Sequence, residues 1–591
     1  MCTYADYESA TWINKNFLLL FPIAAIIWRI MSVVELSNLS PEERHKLVSI
    51  PVNGQGLKTL VEAGMIWLRT NQQIVNQLNV FPVPDGDTGT NMVLTMQAAF
   101  DEISTSGIQN IGQLSHDIAR GALMGARGNS GVILSQIWRG FARALDNHPT
   151  MDVNLLAEAL IEARDTAYKG VVRPVEGTIL TVIKDIAAQA EVSVQRTSVF
   201  TDVLADIVEA ADASVERTPE LLPILKQAGV VDSGGKGLFC IFEGMWRFLN
   251  GESLDKAIAE VLPLSAMNLE DTMEAIEPGQ DYEVVIDFTP EPTFSLENYY
   301  DELSKIGTSI QVGEGDGIYR MHIHVPLEKR YVPIDHTMTQ GTIQKVMMEN
   351  LVAQLDMSKA KKPPKIKLAQ VNPGETAVVA VSPGSGLTRI FASLGVAAIV
   401  QGGQTMNPSI KELLGAFEDL PTDKVVILPN NKNIIMAAKE AASITVKKVQ
   451  VIPTISIPQG ISAMFRLIPD AKLEDNVEAM TEAIDEVETG EITTATRSVE
   501  IDDVQVEKGQ VIALHNGKLI TSTHDIDTAT EELLIAAEAS EFERITLFYG
   551  EDIKPSYVNT LADKIRSIYP DHEIEVHEGG QPHYQLIIAI E

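Results

Sequence analysis

Between Gly54 and about Asn250, apolar residues recur at spacings of three and four, and polar residues fill the positions between them. The runs Leu60–Leu78, Thr90–Ala99, Ile133–Leu145, Leu155–Ala167, Ile179–Ala190 and Val203–Ala213 each put Ala, Leu, Ile or Met on one helical stripe. That periodicity predicts helices packed through the stripe. The loops between them are short, so the expectation is an all-α bundle or barrel with its chemistry in the loops at one end. Past Gly251 the chain turns acidic to Glu277, and then Tyr282–Phe288 and Tyr319–Val325 alternate with period two on either side of a helical stretch, Leu296–Lys305. This predicts a small α+β domain. Lys359-Ala-Lys-Lys-Pro-Pro-Lys365 is a basic, proline-stiffened linker. Beyond it, the strand-like runs Ala377–Val381, Ala397–Gln401, Lys424–Leu428 and Val449–Ile452 alternate with helical segments, as in a parallel-sheet α/β domain. Leu473–Glu488 reads as an acidic helix or linker before an α/β remainder. The predicted division is an extension over 1–50, a helical domain over 51–250, an α+β middle domain over 251–358, a linker over 359–368 and an α/β domain over 369–591.

Composition narrows the class. The chain has 591 residues with a formal net charge of −35, which disfavours a nucleic-acid surface and points to a cytoplasmic protein. Two cysteines, Cys2 and Cys240, rule out a disulfide framework. The apolar stretch Phe17–Trp28 is about twelve residues long, against roughly twenty for a membrane-crossing helix. It also lacks the basic start of a signal peptide, so no integral membrane association is expected and the first 50 residues are expected to lie outside the fold.

The stretch that carries the most chemistry is Asn79-Val-Phe-Pro-Val-Pro-Asp-Gly-Asp-Thr-Gly-Thr-Asn-Met92. Its prolines hold the backbone extended and its glycines let it turn, so Asp85 and Asp87 are presented on a shaped loop. Two close carboxylates stay ionised most cheaply on a hard divalent cation, which also takes oxygen from Asn79, Thr88 or Asn91. The same residues are also good chemistry for an Asx-rich turn that caps the next helix. Gly125-Ala-Arg-Gly-Asn-Ser-Gly131 precedes an apolar run and places glycines and a hydroxyl at a helix N-terminus, where a phosphate fits and where Asn129 or Ser130 could equally be a plain cap. Gly229-Val-Val-Asp-Ser-Gly-Gly-Lys-Gly237 is not a Walker A loop, since Lys236 is followed by Gly237. In Met321-His-Ile-His-Val325, His322 and His324 fall on one face of a strand, which suits a shared metal and equally suits a half-buried sheet face.

Pro-Val-Pro-Asp-Gly-Asp-Thr-Gly-Thr-Asn-Met resembles the metal loop of the L-type (DhaL-like) domain of dihydroxyacetone kinases, in the form carried by the catalytic subunit of bacterial fatty acid kinase. The resemblance covers nearly all of the chain after about Val52. It implies that Asp85 and Asp87 hold magnesium bridging the phosphates of ATP, with Asn79 where the sugar-kinase relatives have a third aspartate. It further implies phosphate contacts at Gly128, Asn129, Ser130 and Gly131, a cation at Arg127 for the transferring phosphoryl group, a nucleotide-binding segment at Gly177 and Thr178, and a nucleotide-lining role for Asp232 and Ser233; as sequence alone, Arg127 equally suits a structural ion pair, Gly177-Thr178 a capped helix start and Asp232-Ser233 a domain-closing turn. In the middle domain the resemblance implies a zinc-like metal on His322 and His324, with Asp281 standing where the family has a cysteine. Cys240 falls far upstream in a segment that reads as a buried helix. The implied reaction is transfer of phosphate from ATP to the carboxylate of a fatty acid held by a DegV-like fatty-acid-binding protein, which the glycine- and asparagine-rich loops of the carboxy-terminal half would recognise. A homodimer through that half is also expected. The rival readings are a kinase of a small hydroxylated metabolite such as dihydroxyacetone, and a nucleotide- and metal-binding regulator that turns over nothing.

Overall fold

The computed structural model describes residues 51–79, 86–171, 173–254, 262–263, 282–291, 294–315, 318–350, 368–404, 406–495, 499–501 and 504–591. The first 50 residues, Asp85, Asp281 and linker residues 359–367 lie outside them. The chain separates into two compact units, one holding 86–256 with the residues before 80, the other holding 257–591 with 80–85.

The described part of the first unit is helical. Its helices are α1 (Gly54–Thr70), α2 (Gln72–Leu78), α3 (Thr88–Ile103), α4 (Ile111–Gly125), α5 (Gly128–Ala144), α6 (Val153–Gly170), α7 (Ile179–Arg196), α8 (Phe200–Leu221), α9 (Pro223–Ala228) and α10 (Ser233–Leu249). Short polar side chains start several of them. Asn53, Asn110 and Asp152 each accept a backbone N–H from the first turn of the helix they precede, which supplies partners for amides that have none within the helix. Inward faces form one apolar core that includes Trp67, Met92, Leu114, Ile183 and Phe248. Trp67 is fully buried, and its indole N–H donates to Glu243 at 2.8 Å while the Arg247 guanidinium lies over its ring.

Two details differ from the periodicity. The stretch Leu60–Leu78 is two helices, because the chain bends at Asn71, whose side-chain amide donates back to the Trp67 carbonyl. Helix α4 leaves little periodic signal, since Gly112, Ser115, His116 and Gly121 dilute its apolar stripe; Ile111, Leu114, Ile118 and Ala122 are nevertheless fully buried.

The second unit is built on sheets. Strands β1 (Leu262–Pro263), β2 (Tyr282–Pro290), β3 (Thr308–Gly315), β4 (Ile318–Val325) and β5 (Gly341–Asn350) form one sheet in the order β1-β3-β4-β2-β5. Val284, Ile286 and Phe288 on β2 and Met321, Ile323 and Val325 on β4 share the face that packs on Tyr299 and Leu303. The next sheet is wholly parallel, with β6 (Ala377–Ser382), β7 (Ala398–Gln401), β8 (Lys424–Leu428) and β9 (Lys448–Val451) in the order β7-β6-β8-β9. Its central strand β6 is buried along its whole length, as expected of a strand covered on both faces.

The expected single α/β domain proves to hold a further sheet. Strands β10 (Glu488–Thr494), β13 (Val511–His515), β14 (Lys518–Thr523), β15 (Arg544–Tyr549), β16 (Glu573–Glu578) and β17 (Tyr584–Ile590) run in the order β14-β13-β10-β17-β15-β16, and β11 (Val499–Ile501) pairs with β12 (Val504–Val506) as a small ribbon. The segment 473–488 is a helix over Leu473–Ala483 followed shortly by the start of β10. No described helix is long and apolar enough to cross a membrane.

Candidate functional site

Four helices of the first unit begin close to one another, and local sequence explains how each start is held. Asp87 precedes α3 and is only 6 % exposed. Its side chain makes no capping bond to that helix, whereas its carbonyl accepts the Asn91 N–H at 2.8 Å. The first turn of α3 is pinned instead by α2. Asn76 Oδ1 accepts the Thr90 N–H at 3.1 Å, and the Thr90 hydroxyl accepts from Asn76 and Gln72 at 3.1 and 2.9 Å. Asn79 is the residue that ends α2.

Helix α5 starts with Gly128 at φ +56°, a left-handed conformation that glycine takes without strain. Arg127 precedes it in extended conformation and likewise makes no side-chain cap. Gly131 lets α5 lie against α3, since a Cβ there would stand 2.5 Å from Thr95 Oγ1. The expected phosphate segment Gly128–Gly131 is therefore brought beside the helix that Asp87 begins.

The starts of α7 and α10 join from the other side. Ser233 donates from its hydroxyl to Thr88 Oγ1 at 3.2 Å, tying α10 to α3. Asp232 caps α10 by accepting the Gly235 N–H at 2.7 Å, and a Cβ on the neighbouring Gly234 would stand 3.3 Å from Ile179 at the head of α7. Burial pushes the Asp232 carboxyl up to about 6, against the pull of nearby backbone amides. Thr178 caps α7: its hydroxyl accepts from Leu180 N–H and donates to the Val175 carbonyl, so that group is engaged locally. Gly177, at φ +81°, passes so close to α8 that a Cβ would meet Leu222 and the Thr218 carbonyl within 3 Å.

Helix N-termini carry partial positive charge and amides without intrahelical partners, so their convergence beside a buried carboxylate is an arrangement that fits a polyphosphate with its cation. Asp87, with Asn79 as an amide oxygen, is the hard-oxygen donor type that magnesium takes. Asp85 lies outside the described residues. The sequence reading did not single out Asn76, Gln72, Thr95 or Thr218, all of which hold this end together. Asn76 and Gln72 are polar residues spaced four apart on α2, one face toward α3, and that spacing is the only signal they leave in the chain.

A second cluster sits in the five-stranded sheet. Antiparallel pairing sets Glu283 opposite His324 and Val285 opposite His322, so Glu283 and both histidines project from the face away from Tyr299 and Leu303. Candidate ligand atoms of the three residues all lie within 4.8 Å of one another. His322 Nε2 is 3.0 Å from Glu283 Oε1, and both ring nitrogens of the 1 % exposed His324 are without a hydrogen-bond partner. Burial and the neighbouring His322 ring lower the His324 pKa to about 4, which keeps it neutral and ready to ligate. This donor set fits a divalent metal such as zinc. The expected third donor, Asp281, lies outside the described residues, and the carboxylate that the register delivers is Glu283, two residues along the chain. Cys240 is buried in α10 with its thiol pushed up to about 12, in line with a packing role.

Among the glycine- and asparagine-rich loops, Ser382–Gly386 is closed by the chain itself: the Gly386 and Leu387 amides both donate to the Gly579 carbonyl at 3.0 Å. Asn430 is buried at φ +55°, with its amide donating to the Val381 carbonyl and its carbonyl oxygen accepting from Thr454. These groups weld strand ends together.

Residues 82–247 match the family model described as the DAK2 domain, and residues 377–591 match the one described as the C-terminal region of FakA-like fatty acid kinase subunits. The chain is 38 % identical over 549 residues to an uncharacterized protein of Staphylococcus aureus strain USA300, covering 91 % of this chain and 99 % of that one. It is also 38 % identical over 550 residues to an uncharacterized protein of Staphylococcus epidermidis strain ATCC 12228, again over 91 % and 99 %. Among solved structures it is similar to a DegV family protein from Corynebacterium glutamicum (14 % identity, 36 % of this chain and 96 % of that one, TM-score 0.28). It is similar to the Streptococcus pneumoniae fatty acid kinase B3 protein loaded with linoleic acid (13 %, 36 % and 99 %, TM-score 0.26). It is also similar to the dihydroxyacetone kinase from C. freundii in complex with AMP-PNP and Mg2+ (19 %, 32 % and 33 %, TM-score 0.26).

Proposed function

The chain belongs to the family of FakA-like fatty acid kinase subunits with a DAK2 domain, and from that premise we propose that it is a cytoplasmic, ATP-dependent kinase of fatty acid carboxylates. The acyl chain would be held by a separate DegV-like fatty-acid-binding protein, and the products would be acyl phosphate and ADP. The observation that carries this reading is the meeting of the starts of α3 and α10 at the Ser233–Thr88 bond beside buried Asp87, with the start of α7 against that of α10 and the start of α5 against α3.

The chemistry asks little of the protein beyond placement. A fatty acid carboxylate is ionised near neutrality, its reference pKa being roughly 4 to 5, so its oxygen attacks the γ-phosphorus without a general base. The bond between that phosphorus and the bridging oxygen of ADP breaks as the new one forms, and ADP leaves with the electron pair. Asp87 with Asp85 and Asn79 would hold magnesium, which when bound offsets phosphate charge. Amides at the start of α5, around Gly128–Gly131, would hold the terminal phosphates, and Arg127 would face the charge that builds on the transferring group. Glu283, His322 and His324 would hold a zinc-like ion whose place is structural, in a sheet remote in sequence from the helical site.

The test is turnover of ATP by the purified chain with magnesium, with and without a fatty-acid-loaded DegV-like protein, with acyl phosphate as the readout. Product that requires the loaded partner is the expected result. Phosphorylation of dihydroxyacetone without a partner would replace this reading by the metabolite-kinase one. Nucleotide binding with no product from any acceptor would replace it by the regulator.

A further inference from the structure

We infer that Thr308 is a positioning residue of the sheet site, whose hydroxyl holds a metal-bound water at the position that Glu283, His322 and His324 leave open. This rests on the reading of those three residues as metal ligands. Strand β4 lies between β3 and β2, and the register sets His324 opposite Thr308 of β3 on one side and opposite Glu283 of β2 on the other. Paired residues of antiparallel strands share a face, so the three side chains form one row on the face turned away from Tyr299 and Leu303. Plain alternation along β3 would not place Thr308 there. Ile310 and Val312 pack on the apolar core, and a residue two positions before Ile310 would follow them to that face. A β-bulge between Thr308 and Gln311 adds one residue to β3 and so turns Thr308 to the histidines. Two contacts hold this stretch. The Tyr300 hydroxyl donates to the Ile310 carbonyl inside the bulge, and Gly307 lets β3 begin tight against β4, since a Cβ there would collide with the His324 carbonyl.

The Thr308 hydroxyl is buried and has no hydrogen-bond partner among the described residues, and the same is true of both ring nitrogens of His324. Leaving a buried hydroxyl unpaired is costly, whereas a methyl group of the same shape costs nothing there. An unpaired hydroxyl next to an unpaired imidazole therefore marks a place where something binds between them. A tetrahedral ion takes four donors, and Glu283, His322 and His324 supply three. Threonine is not among the side chains that zinc ordinarily takes, so its hydroxyl acts one step out, accepting a hydrogen bond from water in the fourth position. The bulge that re-aims Thr308 then has a purpose that packing alone does not give it.

The experiment strips the full chain of metal and reloads it with cobalt(II) or zinc. Three quantities are read: the visible absorption of the cobalt form, zinc affinity in competition with a chromogenic chelator, and the melting temperature of the metal-free chain. Thr308→Val keeps the shape and removes the hydroxyl. It is expected to weaken zinc about tenfold and to change the cobalt spectrum. Its metal-free form should melt at or above the metal-free wild type, because an unpaired hydroxyl has been replaced by a methyl group. Thr308→Ser is expected to restore both affinity and spectrum. Unchanged zinc affinity and cobalt spectrum in Thr308→Val would overturn the inference. A metal-free Thr308→Val chain that melts below metal-free wild type would overturn it too, since the hydroxyl would then serve the protein and not the metal. A wild-type chain that takes up neither ion overturns the metal reading itself, and the inference with it.

Discussion

At the polar end of the helical unit, the groups that converge come from positions as far apart as Gln72 and Gly235, and most are backbone amides or the side chains that cap them. Glu283, His322 and His324 instead sit on two neighbouring strands and contribute side chains alone. The two regions therefore fail differently. A site made of helix starts depends on how helices pack, so distant small residues matter to it. A site made of strand side chains depends on register, and a single substitution removes a ligand while leaving the backbone ladder intact.

The strongest way to break the contrast is to remove the buried carboxylate of Asp87 from the helical site. Asp87→Ala is expected to cut phosphoryl transfer on the order of 10³-fold while circular dichroism and thermal unfolding show a folded chain. A folded variant with near-normal activity would remove Asp87 from the metal loop. Next in size, Gly131→Ala forces a Cβ toward Thr95 and should cost about 1–3 kcal/mol, with nucleotide affinity falling alongside stability in a titration, because α5 must move off α3. Loss of stability without loss of affinity would separate the phosphate contacts from the packing of α5.

The sheet cluster offers the complementary break. His324→Ala and Glu283→Ala should each abolish stoichiometric zinc in elemental analysis and lower the melting temperature by a few degrees, with nucleotide affinity unchanged. Retained zinc in Glu283→Ala would point to another third donor. The pH response follows from His324. Its pKa falls from 6.5 in the unfolded chain to about 4 in the fold, so between those values the unfolded chain binds more protons. Its contribution is fully present above 6.5 and is lost as pH drops toward 4, and metal-free protein should melt progressively lower over that window. The His324→Ala variant should lack that part of the slope. Smallest of all, Thr178→Ala removes a cap worth about 1 kcal/mol and should leave nucleotide affinity within about twofold, because its hydroxyl already serves Leu180 and Val175.

Much of this was legible in the chain. Three- and four-residue apolar spacing announced the helices of the first unit, and period-two alternation announced β2 and β4. Asp87 and the Gly128–Gly131 turn stood out because few residue types serve at a helix start or at positive φ. Other features were not legible. Helix α4 carries too many small and polar residues to stand out. Glu283 was not singled out, because only the pairing of β2 with β4 sets it opposite His324. Nothing around Asp232 in the chain announces that its backbone N–H meets the Thr218 hydroxyl of α8.

The sequence by itself determined which segments become helix or strand, and where its turns and caps fall, because those depend on neighbours within a few residues. Only the tertiary structure decided which helix starts meet, that Thr88 finds Ser233, that Thr218 serves Asp232, and that Glu283 faces the two histidines. Those outcomes depend on packing between segments tens to more than a hundred residues apart, and a local pattern carries no record of the partner it will meet.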